Sequence, residues 1–298
     1  MELHPHIWLL LSVITLCSGS DTGFNDNPAL DSQQHNLKWM ASIPDGTPVS
    51  AVSIPGTHES LSLHGGPLTV SQVWDLDKQL QVGLRYFDLH AGIWVPTEKH
   101  VYIRDGRWMI WQQTQLDEVL QSMLNFLDIN RSETVLLKVE IHGLYKEEVR
   151  ELIMTLILKF KDKIWTNASV PNMKQARGKV IFLQSKTFHD GVTNQRSFFI
   201  HGGRLSDVEG KIKNIKSDLC GRRVVLTDNA PPALTNPKQL AKTLNKALSD
   251  FVREHGRSSL QRGCLGVFSV TFPSADLIRE IARLKPCRYP GLYGTASV

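Results

Sequence analysis

Cysteine is scarce in this chain, and its spacing fits no metal site. Of four cysteines in 298 residues, Cys17 falls in an N-terminal apolar run, which leaves Cys220, Cys264 and Cys287. Three thiols allow one disulfide with one thiol over, or three thiols, and no zinc pattern. Dense Lys/Arg runs are missing, which sets nucleic acid aside as a partner. Internal repeats are missing too. After residue 16 no segment approaches the roughly 20 apolar residues that cross a bilayer, and no apolar C-terminal tail suggests a lipid anchor.

What is present begins with Ile7–Leu16, an apolar run of secretory-signal length followed by Ser18, Gly19 and Ser20. The expected organisation is a signal peptide over residues 1–20, a flexible polar leader over 21–36 and one folded domain over 37–298. Secretion is the expected localisation, and Asn130-Arg-Ser and Asn167-Ala-Ser read as glycosylation acceptors. The net charge is +5. Losing residues 1–20 removes only Glu2 and leaves about +6, a balance that favours anionic partners such as phospholipid head groups or glycans.

Four apolar stripes recur at helical spacing. They are Leu116, Val119, Leu120, Met123, Leu124 and Leu127 behind a Thr114 cap; Val149, Leu152, Ile153, Leu156 and Phe160; Leu240, Leu244, Leu248, Phe251 and Val252; and Leu277, Ile278, Ile281 and Leu284. Between them lie Val/Ile/Leu-rich runs at 51–54, 84–89, 134–140, 179–184, 223–227 and 265–270. Such runs suit strands covered on both faces, and their alternation with helices predicts a parallel α/β architecture. In the stretch Ala51–Ser60, the apolar run ends at Pro55-Gly56 and leaves His58 and Glu59 at the strand's mouth. Other strands end in Asp88 and His90, in Glu140 and in Asp228. Asp88 and His90 are two apart and share a face, and charges converging on a barrel interior are costly unless paired or metal-bound.

The segment Ile43-Pro-Asp-Gly-Thr-Pro-Val-Ser-Ala-Val-Ser-Ile-Pro-Gly-Thr-His-Glu-Ser60 resembles the opening of the phosphatidylinositol-specific phospholipase C X-domain family, its secreted bacterial-type members most of all. Gly83–Leu89, Ser132–Glu140, Gly178–Leu183 and Arg222–Asp228 resemble later strands in the same order, so the resemblance spans about residues 37–285. It implies a single, distorted TIM-type (β/α) barrel. It also implies cleavage of the glycerol–phosphate bond of phosphoinositides at a membrane surface, by attack of the inositol 2-hydroxyl on phosphorus.

By that resemblance His58 is the general base and Asp105 stands where the acid histidine belongs. Asp228, Lys138 and His90 fall on substrate-binding positions. The pattern departs from the family at three points: His90 replaces a phosphate-binding Arg, Asp105 replaces the acid His, and Thr271 replaces an Asp that orients the base. Glu59, Asp88 and Glu140 match positions where calcium-dependent members hold a metal. A divalent cation, calcium or magnesium, is therefore an expected alternative to a cofactor-free site. Two other functions stay open: a weakened or inactive barrel that binds anionic lipid or glycan, and a metal-dependent glycerophosphodiesterase. Trp94, Trp108 and Trp111 sit around the loop of Asp105, where tryptophan either packs or enters a lipid interface.

Overall fold

The computed structural model describes residues 22–197, 200–201, 204–205, 224–228, 235–257 and 264–287. The strands are β1 (Ile54–Thr57), β2 (Tyr86–Gly92), β3 (Tyr102–Arg104), β4 (Trp111–Gln115), β5 (Val135–Ile141), β6 (Ile164–Trp165), β7 (Val180–Leu183), β8 (Asn194–Ser197), β9 (Ile200–His201), β10 (Arg204–Leu205), β11 (Val224–Asp228) and β12 (Val267–Val270). The helices are α1 (Leu76–Val82), α2 (Leu116–Ile129), α3 (Lys146–Lys159), α4 (Met173–Ala176), α5 (Pro237–Arg257) and α6 (Ala275–Ala282).

One sheet runs β7-β5-β2-β1-β12-β11-β8, all parallel, with the short β6 outside β7. Its two ends meet at a parallel bridge between Leu183 and Val192, just ahead of β8. The order around the resulting cylinder is therefore the order along the chain, as in a (β/α) barrel. The antiparallel hairpin β3–β4 branches from the upper half of β2.

Alternation along the strands builds two layers inside. Ile54, Tyr86, Leu136, Ile181, Leu226 and Val267 pack as one apolar cluster that also holds Met40, Val49 and Val52. The intervening Phe87, Leu89, Leu137, Val139 and Phe182 pack outward with the apolar face of α2. Two residues further along β2 and β5 the inward positions turn polar, at Asp88 and Lys138. The site thus rests on an apolar floor, where truncating a large side chain costs about 3–5 kcal/mol.

Three expectations are corrected. The first strand does not stop at Pro55-Gly56 but runs through it, while Val49–Ala51 forms a 3-10 turn. Pro55 is tolerated because its missing donor falls on the β2 side, where pairing starts only at Gly56 opposite Tyr86. Gly56 is required there, since a Cβ would lie 2.4 Å from the Cβ of Tyr86. The α2 cap is Gln115 rather than Thr114; the Glu118 carboxylate accepts from the Gln115 N–H at 2.9 Å and from the Thr114 hydroxyl at 3.0 Å.

Residues of the leader make contacts with the folded domain. Asn25 N–H donates to Phe272 O at 3.0 Å, Phe24 and Phe272 rings stand 5.9 Å apart, and Asn36 N–H donates to Gln81 O at 2.8 Å. Lastly, Asn130 is buried and its amide donates to Phe126 O, so of the two acceptor motifs only Asn167 is exposed. Cys264 and Cys287 form a disulfide with Cα atoms 5.0 Å apart.

Candidate active site at the barrel mouth

The mouth is set by the turn that follows β1. Glu59 takes φ +44°, a conformation uncommon for a residue with a side chain. This tight turn folds Ser60 back onto β2: Ser60 N–H donates to Asp88 O at 2.9 Å, and Asp88 N–H donates to Ser60 Oγ at 2.8 Å. Gln72 secures the other side, its Nε2 donating to His58 O at 2.8 Å and to Val270 O at 3.0 Å. His58 is thereby held over the ends of β1, β2 and β12.

His58 Nδ1 lies 3.3 Å from Asp88 Oδ2, and Lys138 Nζ donates to Asp88 Oδ1 at 2.7 Å. All three are buried. Burial alone would raise the Asp88 pKa, but the Lys138 ammonium, the hydrogen bond with His58 and the histidine charges outweigh it and hold the carboxyl below its usual range. With Nδ1 facing the Asp88 carboxylate at 3.3 Å, Nε2, 3.8 Å from Glu59 Oε1, is the nitrogen on the other side of the ring. A nitrogen so placed is what a general base presents.

The other expected residues are placed as follows. Lys138 belongs to the interior network through Asp88 and does not turn to Glu140. Asp105 Oδ2 accepts from the amides of Arg107 and Trp108, and Oδ1 from Ile110, at 2.6–2.9 Å. Both its oxygens brace the β3–β4 loop. His90 Nδ1 stands 2.6 Å from Nε2 of His142, a residue not singled out from sequence. Burial lowers the pKa of His90 to about 3, against the attraction of Asp88, and lowers that of His142 as well. Glu59 Oε2 accepts from Ser71 Oγ at 3.0 Å. Glu140 is buried, and its Oε2 has no hydrogen-bond partner among the described residues. Asp228 ends β11 opposite Ser269, and its side chain lies outside the described residues.

Glu59, Asp88 and Glu140 do not make a metal site here. Among the described residues no three His, Cys, Asp or Glu side chains converge to hold an ion. Asp88 is in addition already engaged by an ammonium group. The donor set does not fit calcium, which takes 6–8 oxygens.

Residues 47–186 match the family model described as phosphatidylinositol-specific phospholipase C, X domain. The chain is 27% identical to a 1-phosphatidylinositol phosphodiesterase of Listeria monocytogenes, covering 87% of this chain and 88% of that protein. The solved phosphatidylinositol-specific phospholipase C from Listeria monocytogenes superposes with a TM-score of 0.68 at 25% identity, over 83% of this chain and 98% of the other. A structure of the Staphylococcus aureus phospholipase, 14% identical, has the same fold at a TM-score of 0.63, over 88% of this chain and 100% of the other.

Proposed function

The chain belongs to the phosphatidylinositol-specific phospholipase C X-domain family, and on that premise we propose that it is a secreted phosphoric diester hydrolase of phosphoinositides. The observation that carries this reading is the buried Lys138–Asp88–His58 relay at the mouth of the barrel. His58 Nε2 takes the proton of the inositol 2-hydroxyl. The oxygen then attacks phosphorus, a cyclic inositol phosphate forms, and the diacylglycerol oxygen leaves as the alcohol, protonated through solvent while His58 gives its proton back to solvent. In this reading Asp105 braces the β3–β4 loop through three amide contacts and is not assigned the acid role.

A lipid surface is the partner that suits the rim. Trp94 (60% exposed) follows β2, Trp108 (53%) lies in the β3–β4 loop and Leu144 (91%) follows β5. These are successive loops at one end of the barrel, and exposed apolar patches of this kind mark interaction surfaces. Trp74, by contrast, is core. No helix among the described residues is long and apolar enough to cross a membrane. The Cys264–Cys287 disulfide and the exposed Asn167 support the secretory reading.

A second reading is favoured by the same Asp105 geometry: a barrel that binds anionic lipid or glycan with little turnover. Release of water-soluble inositol phosphate from phosphatidylinositol vesicles separates the two. The purified protein is run with calcium, with magnesium and with EDTA beside H58A. Release that is equal in all three lanes and at least a hundredfold lower in H58A is the expected result. Vesicle binding without release in any lane overturns the hydrolase reading and leaves the binding barrel.

A further inference from the structure

A buried arginine beside the site has its binding edge unoccupied. In the antiparallel register of β2 and β3, Arg104 stands directly opposite His90. Opposed residues share a face of the sheet, so Arg104 projects on the face that carries Asp88 and His90. Gly92 makes the bay for it: a Cβ there would lie 3.3 Å from Arg104 Nε and 2.8 Å from His142 O. The guanidinium carbon lies over the Trp94 ring, 3.8 Å from its centroid, and Nη1 donates to Met109 O at 3.4 Å.

Arg104 is only 3% exposed, yet its Nε and Nη2 have no hydrogen-bond partner among the described residues. Glu98, whose charge favours the guanidinium, instead accepts from the Trp94 amide at 3.0 Å. The Nε–H and Nη2–H groups form one edge of the guanidinium, the edge that takes two oxygens of a phosphate side by side. Two further buried atoms on the adjoining strands, Glu140 Oε2 and His90 Nε2, also have no partner among the described residues. Buried polar groups of this kind are satisfied by protein, water or ligand. A phosphorylated polyol supplies all three: phosphate oxygens for the fork and hydroxyls for the carboxylate and the imidazole.

We propose that Arg104 is the phosphate-holding residue of this site, reaching it from β3 and supplying the cation that His90 does not. The proposal rests on the reading of the ligand as an inositol phosphodiester. It differs in mechanism from an arginine on β2, because the fork is aimed by stacking on Trp94 instead of by the barrel strand itself.

The test is titration calorimetry of the full chain with inositol 1-phosphate and, separately, with inorganic phosphate, for wild type, R104Q and R104K. R104Q is expected to weaken both ligands at least tenfold. R104K is expected to recover only part of the loss, because an ammonium carries charge without the fork. In vesicle assays R104Q is expected to lower kcat as well as raise KM. A measurement free of any folding defect uses wild type alone: the Arg104 Nε–H proton resonance is expected to move on phosphate titration. Equal affinities in wild type and R104Q, an unmoved resonance, or no binding of either probe to wild type each overturn the proposal. Arg104-dependent phosphate binding with no lipid cleavage leaves Arg104 in place and fells the hydrolase reading instead.

Discussion

His58 Nδ1 is 3.3 Å from Asp88 Oδ2, so the candidate base takes its orientation from the second strand of the barrel and not from the last. The carboxylate is in turn fixed by Lys138 at 2.7 Å. Asp88→Asn keeps the shape but loses the charge. It is expected to reduce inositol phosphate release by two to four orders of magnitude, about the range seen when the orienting carboxylate of a His base is neutralised. Lys138→Met leaves Asp88 buried without its cation, which costs about 3–5 kcal/mol. Urea denaturation of both variants beside the vesicle assay checks the pair: both should lose stability, because each leaves a buried charge unpaired, and the folded fraction of D88N should in addition show the rate defect. Wild-type rates in D88N would show that the base needs no such partner.

Asp105 is expected to behave as a brace. Asp105→Ala removes the acceptor for three amides at the β3–β4 loop, and leaving such donors unsatisfied costs about 1–3 kcal/mol each where water cannot reach them. Its melting temperature should fall, and the activity that survives should keep the wild-type pH profile. If D105A instead melts like wild type and loses one limb of the profile, Asp105 is a proton donor after all.

The histidine pair makes the fold acid-labile. Burial pushes the His90 pKa down to about 3 from its ordinary 6.5, so between those limits the unfolded chain binds more protons. Stability therefore holds above pH 6.5 and is lost as pH falls toward 3, at about 1.4 kcal/mol per unit of separation. The lowered His142 and Asp88 act in the same direction, Asp88 only below its ordinary value of 3.8. Urea midpoints at pH 7.5, 5.5 and 4.5 should decline in that order, and H90N should flatten the decline. A midpoint that is constant across the three values contradicts the burial of His90.

The rim should act on lipid and not on chemistry. Trp94 also stacks on Arg104, so the cleaner variants are Trp108→Ala and Leu144→Ser. Each is expected to weaken sedimentation with phosphatidylinositol vesicles by several-fold, while cleavage of a short-chain, monomeric phosphatidylinositol stays within twofold of wild type. Equal losses on both substrates would place these residues inside the pocket.

The barrel was legible because its central strands are covered on both faces, and the apolar runs of β2, β5, β7 and β12 follow directly from that. β8 was not legible: Asn194-Gln-Arg-Ser197 has no apolar signal, and its strand form comes from pairing with β11. Pro55-Gly56 carries a turn signal in sequence, but in the fold the neighbouring Tyr86 requires that glycine inside the strand. His58, Glu59, Asp88, His90 and Glu140 could be gathered from strand ends. Their pairing could not, since the Asp88–His58 contact depends on Ser60 folding back onto β2. His142 continues the alternation of Lys138 and Glu140 by one step and was within reach of the same argument. Arg104 was not, because its position depends on a three-residue strand with little pattern of its own.

The bridge that closes the cylinder also determines where it breathes. At Leu183 and Val192 two backbone hydrogen bonds, 3.0 Å and 2.8 Å, oppose separation, whereas β2 and β5 are aligned over six residue pairs. Gly191 alone allows this approach, since a Cβ there would lie 2.4 Å from Phe182 O. In deuterium oxide the amides of Gln184 and Val192 should exchange by local opening, long before those of Leu136 and Leu137, which wait for the whole domain to unfold. The barrel is in this sense a rolled sheet with a seam at Leu183 and Val192.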